Sequence, residues 1–148
     1  NEYLEFASNQ KTEKTEIIDT KKFVQNIALD YGKNKIKVKL LENVKVSGRH
    51  NALKRCFVNL INNGLSYGNE VEIQIAKTVS NVIFLIDDDG PGISEKEMSN
   101  VFKPFYRIDK SRNQNKSGVG LGLSIANDII KSHGGQIALE RSPKNGCK

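Results

Sequence analysis

Residues 71–92 read VEIQIAKTVSNVIFLIDDDGPG. Val71, Ile73 and Ile75 alternate with polar neighbours, the period of a strand that buries one face. Residues 82–86 are a continuous apolar run rich in β-branched and aromatic side chains, which reads as a second strand. Val79 to Asn81 lie between them, so the two strands are expected to pair as an antiparallel hairpin. The second strand runs out into Asp87-Asp88-Asp89-Gly90-Pro91-Gly92, whose glycines and proline make a turn readily.

Working outward, Ile36, Val38 and Leu40 alternate with lysines, and residues 44–46 form another short strand. The closeness of 36–41 and 44–46 predicts a second antiparallel hairpin. Asp19 or Thr20 can cap a helix over 21–31, where Phe23, Ile27 and Tyr31 recur at fours and Gly32 stops the run. Residues 47–66 form a long helix, 122–132 a third helix, and 136–140 a strand. Residues 1–8 read as a helix tail and 9–16 as a polar linker. Residues 87–117 read as irregular, with one short helix near 95–101. No regular βαβ alternation is present. The expected architecture is α+β, a two-layer sandwich with helices on one face of a mixed, mostly antiparallel sheet.

Composition narrows the functional classes. The chain has 148 residues, 37% hydrophobic and 27% charged, the make-up of one globular domain. No apolar run approaches the roughly 20 residues of a membrane span, and no secretory signal opens the chain. The two cysteines, Cys56 and Cys147, form no CxxC and suggest neither a disulfide framework nor a structural zinc site. The formal net charge is +6. The lysines are spread thinly and no basic stretch is interleaved with aromatics, so nucleic acid is not expected as a partner.

On a helical wheel of about 100° per residue, Leu53, Phe57, Leu60, Ile61 and Gly64 of the long helix share one face. Asn59, Asn62, Asn63 and Ser66 form a polar stripe on the other. Asn59 and Asn63 lie one turn apart. Asparagine is a poor helix former, so three within five residues read either as a wet helix face or as a ligand site. An amide oxygen is a hard neutral ligand that suits Mg2+. The acidic segment does not fit an EF-hand, because placing Gly90 at the sixth loop position puts Lys96 where the final acid belongs. Glycines there let backbone approach a flat ligand, and a buried carboxylate, which only accepts, suits the exocyclic amine of adenine. Gly118-Val119-Gly120-Leu121-Gly122-Leu123 opens the third helix with bare N–H groups, a setting for phosphate. It lacks the Rossmann spacing and the Lys of a P-loop.

Taken together, these segments resemble the catalytic ATP-binding domain of bacterial sensor histidine kinases, and within that family the osmosensing membrane kinases. Asn59-Leu60-Ile61-Asn62-Asn63-Gly64 looks like the N box and Asp88-Asp89-Gly90-Pro91-Gly92-Ile93 like the G1 box. Phe102-Lys103-Pro104-Phe105-Tyr106-Arg107 looks like the F box, and Gly118–Leu123 like the G2 box. His133-Gly134-Gly135 matches the turn that usually follows. The resemblance covers roughly residues 20–146 and implies a Bergerat (GHKL-type) sandwich that binds ATP and Mg2+.

The implied roles are as follows. Asn63 would ligate Mg2+ with Asn59 assisting, Tyr67 would stack on adenine, and Asp88 would accept from its amine. Gly90, Gly92 and Ile93 would shape the base pocket. Residues 94–117 would be a mobile lid anchored by Phe102 and Phe105, with Arg107 near the phosphates. Gly118, Gly120 and Gly122, with Leu121 and Leu123, would wrap the triphosphate.

Three departures stand out. Gly64 replaces the family's usual Ala, a change expected only to soften the helix. Ser66 replaces a usual Lys or Arg, with Lys110 or Arg112 as possible substitutes for the lost phosphate contact. The family's last strand would begin near Lys148, so the catalytic domain, taken as 17–148, reads as C-terminally truncated, after a dimerisation-helix tail and linker over 1–16.

ATP-hydrolysing cousins of this fold carry a Glu four residues before the metal-binding Asn. Here that position is Asn59, and an amide cannot serve as the base that activates water. The resemblance therefore implies transfer of the γ-phosphate to a histidine on a separate dimerisation domain. His50 and His133 lack the neighbouring acid of a phosphoacceptor, so that histidine is expected outside this chain. The alternative is a degenerate domain that responds to ATP without transfer. By resemblance the parent would be a bacterial inner-membrane protein with this part facing the cytoplasm. The parent would be a homodimer feeding a response regulator, and the fragment alone a monomer.

Overall fold

The computed structural model describes residues 13–32, 34–40, 44–90, 100, 103 and 122–139. Eight elements occur among them: β1 (Glu16–Asp19), α1 (Thr20–Leu29), β2 (Ile36–Leu40), β3 (Lys45–Gly48), α2 (His50–Tyr67), β4 (Val71–Lys77), β5 (Val82–Asp88) and α3 (Gly122–Ser132). The strands form two sheets, a β1–β3 pair and a three-stranded sheet in the order β2–β4–β5, so the expected α+β make-up with mostly antiparallel pairing is present but the single sheet is divided in two.

The expected hairpin forms. β4 and β5 pair antiparallel from Val71↔Asp88 to Lys77↔Val82. The Thr78 hydroxyl accepts the Asn81 N–H at 3.0 Å and closes the turn. Val71, Ile73 and Ile75 are fully buried on one face.

The second expected hairpin does not form. β2 pairs instead with β4, parallel, from Ile36↔Val71 to Leu40↔Ile75. β3 pairs antiparallel with β1, from Glu16↔Gly48 to Asp19↔Lys45. β1 falls partly in the stretch read as linker, and its four residues EIID carry too little alternation to announce a strand. The physical reason for the exchange is burial. Beside β4, Ile36 and Val38 extend the apolar face that the helices cover, and both pack against the core there. The parallel pairing requires a crossover between β2 and β4, and α2 lies within it.

Asp19 caps α1, its carboxylate accepting the N–H groups of Lys21 at 3.1 Å and Lys22 at 3.3 Å. α1 contributes Phe23, Val24 and Ile27 to the core. From α2 come Leu53, Cys56, Phe57 and Ile61, and from α3 come Ile125, Ala126 and Ile129. Phe57 joins the layers, its ring meeting Phe23 at 5.3 Å and Phe84 at 4.9 Å between centroids, both edge to face.

α3 spans its expected range and ends at the His133-Gly134-Gly135 turn. Gly134 there has φ +80°, which a side chain would resist. Residues 136–139 are in no strand, although Ile137 and Leu139 are half-buried while Gln136 and Ala138 are exposed. The alternation read from the sequence is therefore real, but no ladder accompanies it among the described residues. The helix tail over 1–8 and the short helix near 95–101 fall outside the described residues, apart from Asn100. No helix among the described residues is long and apolar enough to cross a membrane.

Candidate functional site

α2 organises the site, and α3 runs antiparallel beside it through three ties. At one end the backbone N–H of Arg49 donates to His133 Nε2 at 3.0 Å. In the middle Cys56 Sγ meets the Ala126 carbonyl at 3.6 Å. At the other end Asn59 Nδ2 donates to the Gly122 carbonyl at 3.2 Å. His133 Nδ1 lies 2.8 Å from the Ile129 carbonyl, so Nδ1 carries the proton and Nε2 is left as the acceptor. The Arg49 guanidinium also reaches the Ser132 hydroxyl. His133, read from the sequence as part of a turn, is thus a clasp between the two helices. Its long-range partner Arg49 left no signal in the sequence.

The asparagine stripe divides by role. Tyr31 donates its hydroxyl to Asn62 Oδ1 at 2.8 Å, so Asn62 ties α2 to the end of α1. Burial, and then the Asp30 carboxylate, raise the Tyr31 pKa above the usual phenol value, which keeps this donor protonated. Asn59 faces Gly122 and joins the N-box segment to the last glycine of the second glycine segment. Its NH2 is held by a carbonyl acceptor, so its Oδ1 is the atom left for a ligand. Asn63, one turn further on, is half-buried, and its amide has no hydrogen-bond partner among the described residues.

The three aspartates also divide. Asp88 is buried, 7% exposed, and its Oδ1 accepts the Gly90 N–H at 2.9 Å. Asp89 Oδ1 accepts the N–H groups of Asn69 at 2.6 Å and Glu70 at 3.1 Å, which secures the turn from α2 into β4. Asp87 pairs across the ladder with Glu72, so alternation directs it to the opposite face of the sheet from Asp88. Asp88 lies against the body of α2 at Gly64, whereas Asp89 meets the end of the helix. A Cβ built on Gly64 would stand 3.3 Å from Asp88 Cβ and 3.7 Å from its Oδ2. The same Cβ would come within 2.9 Å of Val71 Cγ2, nearer than real side chains approach. Gly64 therefore does more than soften the helix, because it permits the close approach of β4 and β5.

α2 thus meets Gly122 through Asn59 and Asp88 through Gly64, with Asn63 between these two positions in the helix. Leu123 follows in the first turn of α3, half-buried. Ser66 turns its hydroxyl back onto the Asn62 carbonyl at 2.8 Å. Tyr67 is the last residue of α2. Gly92, Ile93, Phe102, Phe105, Arg107, Lys110, Arg112, Gly118, Gly120 and Leu121 lie outside the described residues.

No group of three or more His, Cys, Asp and Glu side chains that could hold a metal occurs among the described residues. The donor set on α2 is of another kind, two amides one turn apart beside a helix N-terminus. Such a set suits a hard cation that completes its shell with water and phosphate oxygens, and the Asn59 amide oxygen, its NH2 already engaged by Gly122, and the Asn63 amide, without a partner among the described residues, fit that requirement.

The family described as "Histidine kinase-, DNA gyrase B-, and HSP90-like ATPase" matches residues 48–148. The sensor histidine kinase CpxA of Escherichia coli (strain K12) is 36% identical over 102 residues, 68% of this chain and 22% of that protein. The sensor histidine kinase GtrS of Pseudomonas aeruginosa is 34% identical over 137 residues, 92% of this chain and 28% of that protein. The chain therefore spans less than a third of the length of these relatives. Among solved structures, the histidine kinase domain of the E. coli osmosensor EnvZ superposes with a TM-score of 0.64 at 28% identity, covering 87% of this chain and 81% of that one.

Proposed function

The chain belongs to the family of histidine kinase-, DNA gyrase B- and HSP90-like ATPases. From that premise we propose that it binds Mg2+-ATP and presents the γ-phosphate to a histidine on a separate dimerisation domain, in two-component signalling. The partners of this reading are that domain, in the same homodimeric kinase, and a response regulator, with the parent anchored in a bacterial inner membrane. The observation that carries it is the convergence on α2 of the Asn59–Gly122 hydrogen bond, the Asn63 amide and the buried Asp88.

In this reading each group has a task. Asp88 accepts from the adenine amine, its rotamer held by the Gly90 N–H. Tyr67 stacks on the base, and Gly90, Gly92 and Ile93 line its pocket. The first N–H groups of α3, with Gly118, Gly120, Gly122, Leu121 and Leu123, receive the phosphates. Phe102 and Phe105 anchor the lid, and Arg107, Lys110 and Arg112 add positive charge. Asn63 and Asn59 would hold Mg2+, which when bound neutralises phosphate charge and aligns the γ-phosphoryl group. Asn59 cannot deprotonate water, so hydrolysis is poorly served and the phosphoryl group is kept for another nucleophile.

Titration calorimetry with a non-hydrolysable ATP analogue and Mg2+ tests the site. Asn63→Asp and Asp88→Asn should each weaken binding by about tenfold or more, the scale of losing one well-placed polar contact. Tyr31→Phe, which removes only the partner of Asn62, should leave affinity unchanged. Equal affinity in all four proteins would refute the assignment. One observation favours a second reading, ATP binding without transfer. Ser66 stands where a basic residue is usual and spends its hydroxyl on its own helix. Mixing the chain with a His-bearing helical domain and labelled ATP decides between the two, since only a transferring kinase labels the histidine.

A further inference from the structure

Resting on the nucleotide reading above, we infer that Gly64 and Val71 form a size-matched pair that sets the depth of Asp88 and so acts as a determinant of base selectivity. Three observations carry this. Val71 and Asp88 are direct partners across the β4–β5 ladder, so whatever displaces one displaces the other. Both abut the same point on α2, where a Cβ would meet Val71 Cγ2 at 2.9 Å and Asp88 Cβ at 3.3 Å. Neither neighbour can yield easily. Val71 is fully buried and β-branched, with little rotamer freedom. Asp88 is held by the Gly90 N–H.

Adding a methyl group at position 64 therefore pushes the end of the β4–β5 hairpin away from α2 and carries the carboxylate with it. Asp88 offers only acceptors. It favours adenine, which presents an amine, and repels guanine, which presents a carbonyl oxygen at the corresponding ring position. Discrimination of this kind depends on distance, because a buried acceptor that fails to meet its donor loses the contact without replacement. In this chain the small residue of the pair lies on the helix and the large one on the strand.

The test is calorimetry with the Mg2+ complexes of AMP-PNP and GMP-PNP on the wild type, Gly64→Ala, and Gly64→Ala with Val71→Ala. The single variant should bind AMP-PNP about tenfold more weakly and lose most of the adenine-over-guanine ratio. The double variant should recover both to within about threefold, because the removed methyl groups make room for the added one. A merely structural role would lower the melting temperature without changing the ratio. The inference is overturned if folded Gly64→Ala keeps the wild-type affinity and ratio, or if Val71→Ala restores neither. If the single variant does not fold, a folded double variant with the wild-type ratio supports the pairing. A double variant that is unfolded, or folded with a lowered ratio, overturns it. A wild-type chain that binds neither nucleotide refutes the nucleotide reading itself, an outcome distinct from all of these.

Discussion

Cys56 shows how a single residue is defined by its surroundings. It is fully buried between α2 and α3 and rests on the Ala126 carbonyl. Burial pushes its thiol up to about 12, so the folded chain holds it as the inert neutral form. In a Cys147→Ser background a thiol reagent at pH 8 should find nothing to react with until denaturant is added. The raised value also has a sign for stability. The folded state keeps a proton that the unfolded state releases near pH 9, so this contribution is complete below that value and is lost as the pH climbs toward 12. Urea midpoints measured from pH 8 upward should fall accordingly. The neighbouring asparagines make the complementary point. Asn59, Asn62 and Asn63 are equivalent in the sequence, yet Tyr31 claims one and the Gly122 carbonyl another.

The feature of α2 least visible in the sequence is its start. Arg49 offers no side-chain cap. Glu13 supplies one instead from 38 residues upstream, its two carboxylate oxygens accepting the Asn51 N–H at 2.6 Å and the Ala52 N–H at 2.9 Å. A carboxylate there also meets the positive end of the helix. Glu13→Ala should therefore destabilise the fold by about 1 kcal/mol. It should also speed hydrogen exchange at Asn51 and Ala52 more than at Ile61. Loss of stability without faster exchange at those two amides would contradict the cap. Glu13 lies in the stretch that reads as linker because a capping residue separated from its helix leaves no local pattern. Elements whose signal is internal were legible: α2 and α3 from their apolar periodicity, β4 and β5 from alternation and a turn. β1 was not, since four residues with two apolar members owe their strand to β3. For the same reason Asp88 could be nominated among three aspartates but not separated from them by geometry until β5 was paired with β4.

For the whole molecule, the three described helices and both sheets share one core. The nucleotide reading implies that a ligand held between α2, α3 and the end of β5 stabilises all of them together. Saturating Mg2+ and a non-hydrolysable ATP analogue at about a hundred times the dissociation constant should add roughly 2.7 kcal/mol to unfolding. The gain should be visible as a raised melting temperature that EDTA diminishes, and duplex DNA at moderate salt should give no such shift. Equal melting curves with and without the analogue would argue against binding at this site.

Periodicity and turn chemistry alone determined the helices, the β4–β5 hairpin, the polar stripe and the glycine segments, because each is written within a few consecutive residues. Alternation assigns a strand its faces without naming its neighbour, so only the tertiary structure decided that β2 lies parallel to β4 and that β3 pairs with β1. The same long-range packing selected Asp88, tied His133 to Arg49 and brought Glu13 to α2. Those partners are 24 to 84 residues apart, and it is burial in a common core that brings them into contact.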